Sequence, residues 1–493
     1  MRRPFLVLTV FALALCSSGC TTLKIQHFVT FSHRPAQDQR FFSVLDETVH
    51  KYGVREASNF ALKRFPYLRA NLFLAALKDR ATTDIQKEQW AQGMRKADLE
   101  ARTKEINNLP SAALKELSKK LKLSLERAAL SQKLSEASQE MFTHDKTQPG
   151  FYDILKAVLA RPPSEYSTLK RIAGLCPLLT VPIVAGTNAA HKEFKNWHRR
   201  AETEIKVLGA LKTYTPPPSE GFATLDLSLM FNAAKHDALG VPSLTGDEIK
   251  RLAQTLAPVF VQDTVGSYDH FGEVIWGQGH VSINTDKPAV YYYPSYAFIK
   301  DEPVVQMNYA IWYTGRSGPN APWLERGALD GLTLRITLSP LGEPIMLDIM
   351  NSCGCYHFYI PRKEKVAEIT EKPFVVDGLP QKFPLERLSF RIKTGWHQVE
   401  HIGTSAGLRE SKTYALIPYD VLESLPDSDG KKESVFNPEG IMKDSHRIES
   451  YIFFSSGISS IGSMRQRGHH AISMTGREDF SDPKIFDRNF TFK

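Results

Sequence analysis

The stretch MNSCGCYHFYIP, residues 350–361, sets Cys353, Cys355 and His357 within five positions. Two thiols and an imidazole so close suit haem attachment, a metal site, a redox disulfide or a thiol nucleophile. Haem attachment needs C-x-x-C-H, with the histidine directly after the second cysteine. Here one residue is missing between the cysteines and one is added before the histidine, so haem is excluded. On an extended strand the three side chains share one face, each ~6.6 Å from the next. They close on a metal, or form a thiolate–imidazole pair, only where Gly354 kinks the strand. Two small buried hydrophobes beside a hydrogen-bonded histidine, or a tight Cys353–Cys355 disulfide, fit the same letters.

Other stretches invite chemistry. HQVEH (397–401) matches the inverted zincin pattern, in which two histidines one helical turn apart hold zinc. The preceding LSFRIKTGW reads as a strand, and continued extension separates His397 from His401 by ~13 Å, too far for one zinc. GTSAG (403–407) is a formal G-x-S-x-G with Ser405 at its centre, followed by aspartates and then His469 and His470. A nucleophile elbow needs a strand turning into a helix, and LRESKTYALIPY supplies a poor one. GISSIG (457–462) begins like a phosphate-binding loop but lacks the lysine. Beyond it Arg465, Gln466, Arg467, His469 and His470 offer cations and imidazoles to an acidic ligand, a metal or a membrane surface. Gln306, Asn308 and Trp312 alternate onto one face of VVQMNYAIWYTG, where an amide pair beside an indole suits a sugar or peptide pocket. No metal set is defined, and no cofactor is expected.

The elements that must position these groups change character along the chain. Residues 41–212 read mainly as helix. SAALKELSKKLKLSLERAALSQKLSEASQEM carries Leu114, Leu117, Leu121, Leu125 and Ala128 at three- and four-residue steps. Pro110 and Ser111 suit its start. VREASNFALKRFPYLRANLFLAALK predicts one helix kinked at Pro66, or two helices meeting there. IAGLCPLLTVPIVAG (172–186) has no charged residue, falls short of the ~20 residues of a spanning helix, and is broken by Pro177 and Pro182. It suits a core segment or a stretch facing a bilayer.

TYTPPPSEG (213–221) reads as a proline-rich linker. Beyond it, residues 222–493 hold short aromatic and β-branched runs: AVYYYPSYAFI, VVQMNYAIWYTG, LTLRITL, PIMLDIM, YHFYI, LSFRIKT, TYALIPY and SYIFFSS. SPLGEP predicts a hairpin loop, and GDEIKRLAQTLA and DVLESLP predict helices. With so few helices between strands, the expected fold is α+β: a helical portion, then a mainly antiparallel sandwich or barrel.

The first residues supply an address. MRRPFLVLTVFALALCSSGC has a basic start, an apolar run of signal length, and small residues leading into Cys20. It resembles a bacterial lipoprotein signal, departing from the common pattern at Ser17, where leucine is usual. The resemblance covers residues 1–20 alone and implies that Cys20 is lipidated, with residues 21–40 as a tether. Thr21 rather than an aspartate after the cysteine implies the outer membrane, with the protein facing the periplasm. Five cysteines make no disulfide framework, because Cys16 leaves with the signal and Cys20 carries lipid. The composition, 42% hydrophobic and 24% charged, is that of a globular chain. The net charge of +8 is mild for 493 residues, and two of those charges are Arg2 and Arg3. Nucleic acid is not an expected partner at such an address; the membrane, through the lipid, and an unknown ligand or envelope component are. The sequence therefore predicts a lipid-anchored envelope protein with a ligand pocket in its β-rich portion. An envelope hydrolase using Ser405 or Cys355 with a histidine base is the alternative.

Overall fold

The computed structural model describes residues 34–123, 126–174, 181–218, 227–370, 373–404, 411–472 and 477–493. Cys20, Cys176, Ser405 and part of the apolar segment 172–186 lie outside the described residues. The fold is α+β: helices come first, sheets rich in antiparallel pairs follow, and no described sheet closes into a barrel.

The first part contains α1 (Ala36–Tyr52), β1 (Phe60–Leu62), β2 (Phe65–Ala70), α2 (Asp84–Asn108), α3 (Ser111–Leu121), α4 (Arg127–Lys146) and α5 (Phe151–Val158). A capping box starts α2: Thr83 accepts from the Gln86 amide, and Gln86 reaches back to the Thr83 amide. Phe41, Phe42, Leu45, Trp90, Leu117, Met141, Phe142 and Phe151 fill one shared core. Two helical expectations need correction. Residues 54–78 form the β1–β2 hairpin and a short helix, Leu72–Ala76. Pro66, which lacks an amide, sits near the start of β2, while Phe65, Tyr67, Leu68 and Ala70 pack inward. The leucine-striped stretch is two helices rather than one, because Lys122 takes a left-handed conformation at φ 55° and ends α3.

The second part contains α6 (Val181–His198), β3 (Ala210–Thr215), α7 (Gly246–Leu256), β4 (Val259–Thr264), β5 (Ala289–Ile299), β6 (Glu302–Arg316), β7 (Gly327–Leu338), β8 (Pro344–Asn351), β9 (Cys355–Pro361), β10 (Val366–Ile369), β11 (Leu388–Ile392), β12 (Val399–Thr404), β13 (Ser411–Thr413) and β14 (Ala415–Pro418). A six-stranded sheet runs β9-β8-β7-β6-β5-β14, and a five-stranded sheet runs β12-β11-β4-β3-β13. The larger sheet is antiparallel except where β14 joins β5. Thr213–Thr215, at the start of the proline-rich stretch, already belongs to the smaller sheet.

One core lies between the sheets. Met307, Tyr309, Ile311, Leu332, Leu334, Ile336, Leu347 and Ile349 meet Tyr214, Phe260, Leu388 and Phe390, with Leu252 and Leu256 from α7. The other face of the larger sheet is covered by the C-terminal chain. Tyr419, Leu422, Phe436 and Met464 pack beside Tyr293, Ala310 and Trp312. Ile472, Phe480, Ile485, Phe486 and Phe490 pack beside Met346, Met350 and Tyr359. A sheet buried on both faces must satisfy every polar side chain it carries from within. SYIFFSS, expected as a strand, is instead a short helix, Glu449–Ile452, followed by a 3₁₀ turn, Phe454–Ser456. Its amides bond locally, Tyr451 to the Ile448 carbonyl and Phe453 to that of Glu449, instead of to a neighbouring strand.

Candidate functional site

The two cysteines sit at the turn between β8 and β9. The strand β9 begins only at Cys355, and Cys353 belongs to the turn, so the three candidate side chains do not form one regular row. Gly354 has φ 85°, and a Cβ there would lie 2.5 Å from the Ala471 carbonyl, so glycine lets the C-terminal loop lie against the turn. Both cysteines are buried thiols. A hydrogen bond with Cys355 brings the Cys353 thiol down to about 7; burial opposes this, and Arg316 and Arg447 assist it.

Those two arginines belong to a buried charge cluster. Arg316 grips Asp330 through two bonds of 3.0 Å, and Arg447 adds a third at 3.2 Å. His397 Nδ1 lies 2.8 Å from Asp330 Oδ2, its ring stacks on Tyr313 at 3.8 Å, and its Nε2 lies 3.4 Å from Asp269. Burial alone would raise the Asp330 carboxyl, but Arg316, Arg447 and His397 hold it well below the usual carboxylate range. Glu325 bonds Arg316, the Tyr356 hydroxyl and, at 3.0 Å, the Trp396 indole. Glu449 lies nearby, pushed up to about 8 by burial and by the charges of Cys353 and Glu325, with its Oε2 unpartnered.

His357 belongs to a second group. Tyr293, Asn308, Arg335, Asp348 and Tyr359 stand in register across five strands. Arg335 holds Asp348 through bonds of 3.0 and 2.5 Å, and His357 Nε2 reaches the same carboxylate at 2.8 Å. The Arg335 guanidinium stacks 3.6 Å from the Phe480 ring. Gln306 accepts from Ser295 and donates to Thr337, both at 3.0 Å, while Asn308 donates to Ser295 and to the Tyr293 carbonyl. Gln306, Asn308 and Trp312 are all buried on the covered face, and the Trp312 indole nitrogen has no partner.

The loop after GISSIG forms a seam with the helical part. Arg465 bonds Glu165 at 3.2 Å and the Ser459 carbonyl at 2.5 Å. His469 lies 2.7 Å from both Glu165 and the Ala57 carbonyl. Gln466 joins Glu56 to Glu423, and Arg467 bonds Glu423 and Asp420, which Lys104 of α2 also meets. His470 is buried with both ring nitrogens unpartnered, and burial lowers it to about 3, so it is a neutral imidazole.

The candidate groups therefore fall into three separate networks. The zincin-like pair is not on a helix: His397 lies in a turn and His401 in β12. Among the described residues no cluster of three or more His, Cys, Asp or Glu side chains is arranged to hold a metal ion. His446 does lie 3.1 Å from the Ser450 hydroxyl, but that hydroxyl is 2.7 Å from the Arg447 carbonyl, its acceptor. An open cleft of about 690 Å³ lies elsewhere, lined by Lys195, His198 and Arg199 with Lys363, Glu368 and Asp377. Sequence reasoning missed Arg316, Asp330, His397, Arg447 and Glu449 as one group, and it missed this cleft. A signal existed for part of this: a charge inside an apolar strand, as in LTLRITL or PIMLDIM, needs a partner across the sheet. No family model matches the chain, and neither does any curated protein or solved structure.

Proposed function

We propose that this chain is a lipid-anchored cell-envelope protein, tethered through Cys20 to the outer membrane and facing the periplasm. Its β-rich part binds a ligand or an envelope component. One observation favours binding over hydrolysis: two of the three candidate histidines turn to carboxylates or to the backbone. His357 meets Asp348, and His469 meets Glu165 and a carbonyl, while His470 has no hydrogen-bond partner. A nucleophile–base pair needs an imidazole within hydrogen-bond reach of the thiol or hydroxyl it activates. The open cleft offers the polar pocket that binding requires. Its three cations, Lys195, Arg199 and Lys363, against two carboxylates, Glu368 and Asp377, suit a polar ligand carrying an anionic group.

Mass spectrometry of protein from the membrane fraction, together with serine- and thiol-directed activity probes, tests this reading. The expected result is acylated Cys20 and no probe label. An unmodified thiol at Cys20 removes the anchor. A label lost on Ser405→Ala or Cys355→Ala makes the protein a hydrolase.

A further inference from the structure

Two short helices, distant in sequence, lie side by side on the surface. Thr168–Ala173 packs against the segment Glu449–Ser456. The Ser167 amide bonds the Gly457 carbonyl at 2.9 Å, Arg171 reaches the Ser456 carbonyl at 3.0 Å, and Lys170 meets Ser459 at 2.7 Å. A Cβ on Gly174 would lie 2.6 Å from Ser455, which shows how closely the backbones approach. Between them these segments expose Leu169, Ile172, Ile448, Tyr451, Ile452 and Phe454, at 41% to 76% of their full surfaces. Single exposed apolar residues are ordinary, but six large ones on two adjoining segments mark an interaction surface.

Charge selects the partner. Lys170 is exposed on the first helix, and Arg171 beside it is half-buried. Glu449, the one carboxylate between Ser445 and Ser463, is buried. Among the described residues, these two segments are thus apolar, aromatic at Tyr451 and Phe454, cationic at Lys170, and carry no exposed acid of their own. That combination is the chemistry of an interfacial segment that seats aliphatic and aromatic side chains at the acyl boundary while cations meet anionic headgroups. The first helix also leads, in sequence, into the uncharged stretch 172–186.

We propose that this two-helix surface docks on an anionic lipid bilayer, as a membrane contact separate from the N-terminal lipid. The inference rests on the envelope reading only for the presence of a bilayer. The test separates the two by using the mature chain with Cys20→Ser, which cannot be acylated. It is floated with vesicles of phosphatidylethanolamine and phosphatidylglycerol, and with phosphatidylcholine vesicles. The expected result is flotation with the anionic vesicles that weakens with salt. Ile172→Glu and Tyr451→Glu should each lower the partition by about tenfold or more. Leu385→Glu, at a site 83% exposed elsewhere, should leave it unchanged. Matched unfolding curves for all variants show that the surface changes leave the fold intact. No flotation of the Cys20→Ser chain, or flotation indifferent to Ile172→Glu and Tyr451→Glu, overturns the proposal. So does a Cys20→Ser dimer that these substitutions dissociate, since a second copy would then be the occupant.

Discussion

His469 Nδ1 lies 2.7 Å from Glu165 Oε1, joining residues 304 apart in sequence. The pair closes the seam between the C-terminal loop and the chain that follows α5, with Arg465 and the Ala471 amide on the same carboxylate. Burial opposes charge on both partners. The contact with Glu165 nevertheless raises His469 above its usual value, and His469, Arg465 and Ala471 bring Glu165 down to about 2.

The signs of these shifts set a pH window. The raised His469 contributes stability that is complete below its unfolded value of 6.5 and is lost as pH rises through its folded value. The depressed Glu165 contributes stability present above its unfolded value of 4.5 and lost as pH falls toward about 2. The seam is therefore strongest between those two unfolded values. Glu165→Gln should cost about 2 kcal/mol there and flatten the pH dependence, as measured by urea unfolding across that range.

Asp330 is the hub of the buried cluster, since Arg316, Arg447 and His397 all converge on it. Removing it leaves the buried Arg447 guanidinium without a carboxylate and leaves Arg316 with Glu325 alone. Asp330→Ala should destabilise the protein by about 3–5 kcal/mol, read from the urea midpoint at constant slope. Asp330→Asn, which keeps the shape and some hydrogen bonds, should cost less. Equal losses for the two variants would mean that the charge, which both remove, carries the whole effect.

Much of the strand pattern was legible. AVYYYPSYAFI, PIMLDIM and the SPLGEP hairpin stand where alternation and turn residues put them, because neighbouring strands pair through short connections. SYIFFSS and residues 54–78 misled for one reason: a short apolar run does not reveal its own conformation. The long-range partnerships had no local signature. Nothing near Glu165 announces His469, and nothing around Arg447 or Glu449, in a stretch without period, announces Asp330 or Cys353. The cluster becomes visible only when the C-terminal chain folds back over the sheet.

Glu449 gives an unfavourable contribution to stability that substitution should relieve. Its carboxyl is raised to about 8 in the folded protein against 4.5 in the unfolded chain, by burial first and then by Cys353 and Glu325. The unfolded chain therefore loses its proton at lower pH, and the folded state weakens as pH rises from near 4.5 until about 8. Glu449→Gln removes this dependence. At pH 5 the variant and the parent should unfold alike, while near pH 8 the variant should be more stable by on the order of 2 kcal/mol.

The thiols supply the last prediction. A thiol at about 7 is ordinarily reactive, because near half of it is thiolate at neutral pH. Reactivity also needs access, and Cys353 is 1% exposed beneath the C-terminal loop, with Cys355 beside it at 7%. Iodoacetamide should therefore modify neither residue in the folded protein at a rate faster than local or global opening allows. The rate, followed by mass spectrometry, should climb with urea in step with the loss of stability. Asp330→Ala, which loosens the cluster, should speed it at a fixed urea concentration. Rapid native alkylation, unaffected by urea, would show that the loop leaves the turn readily and that the pair is available for chemistry.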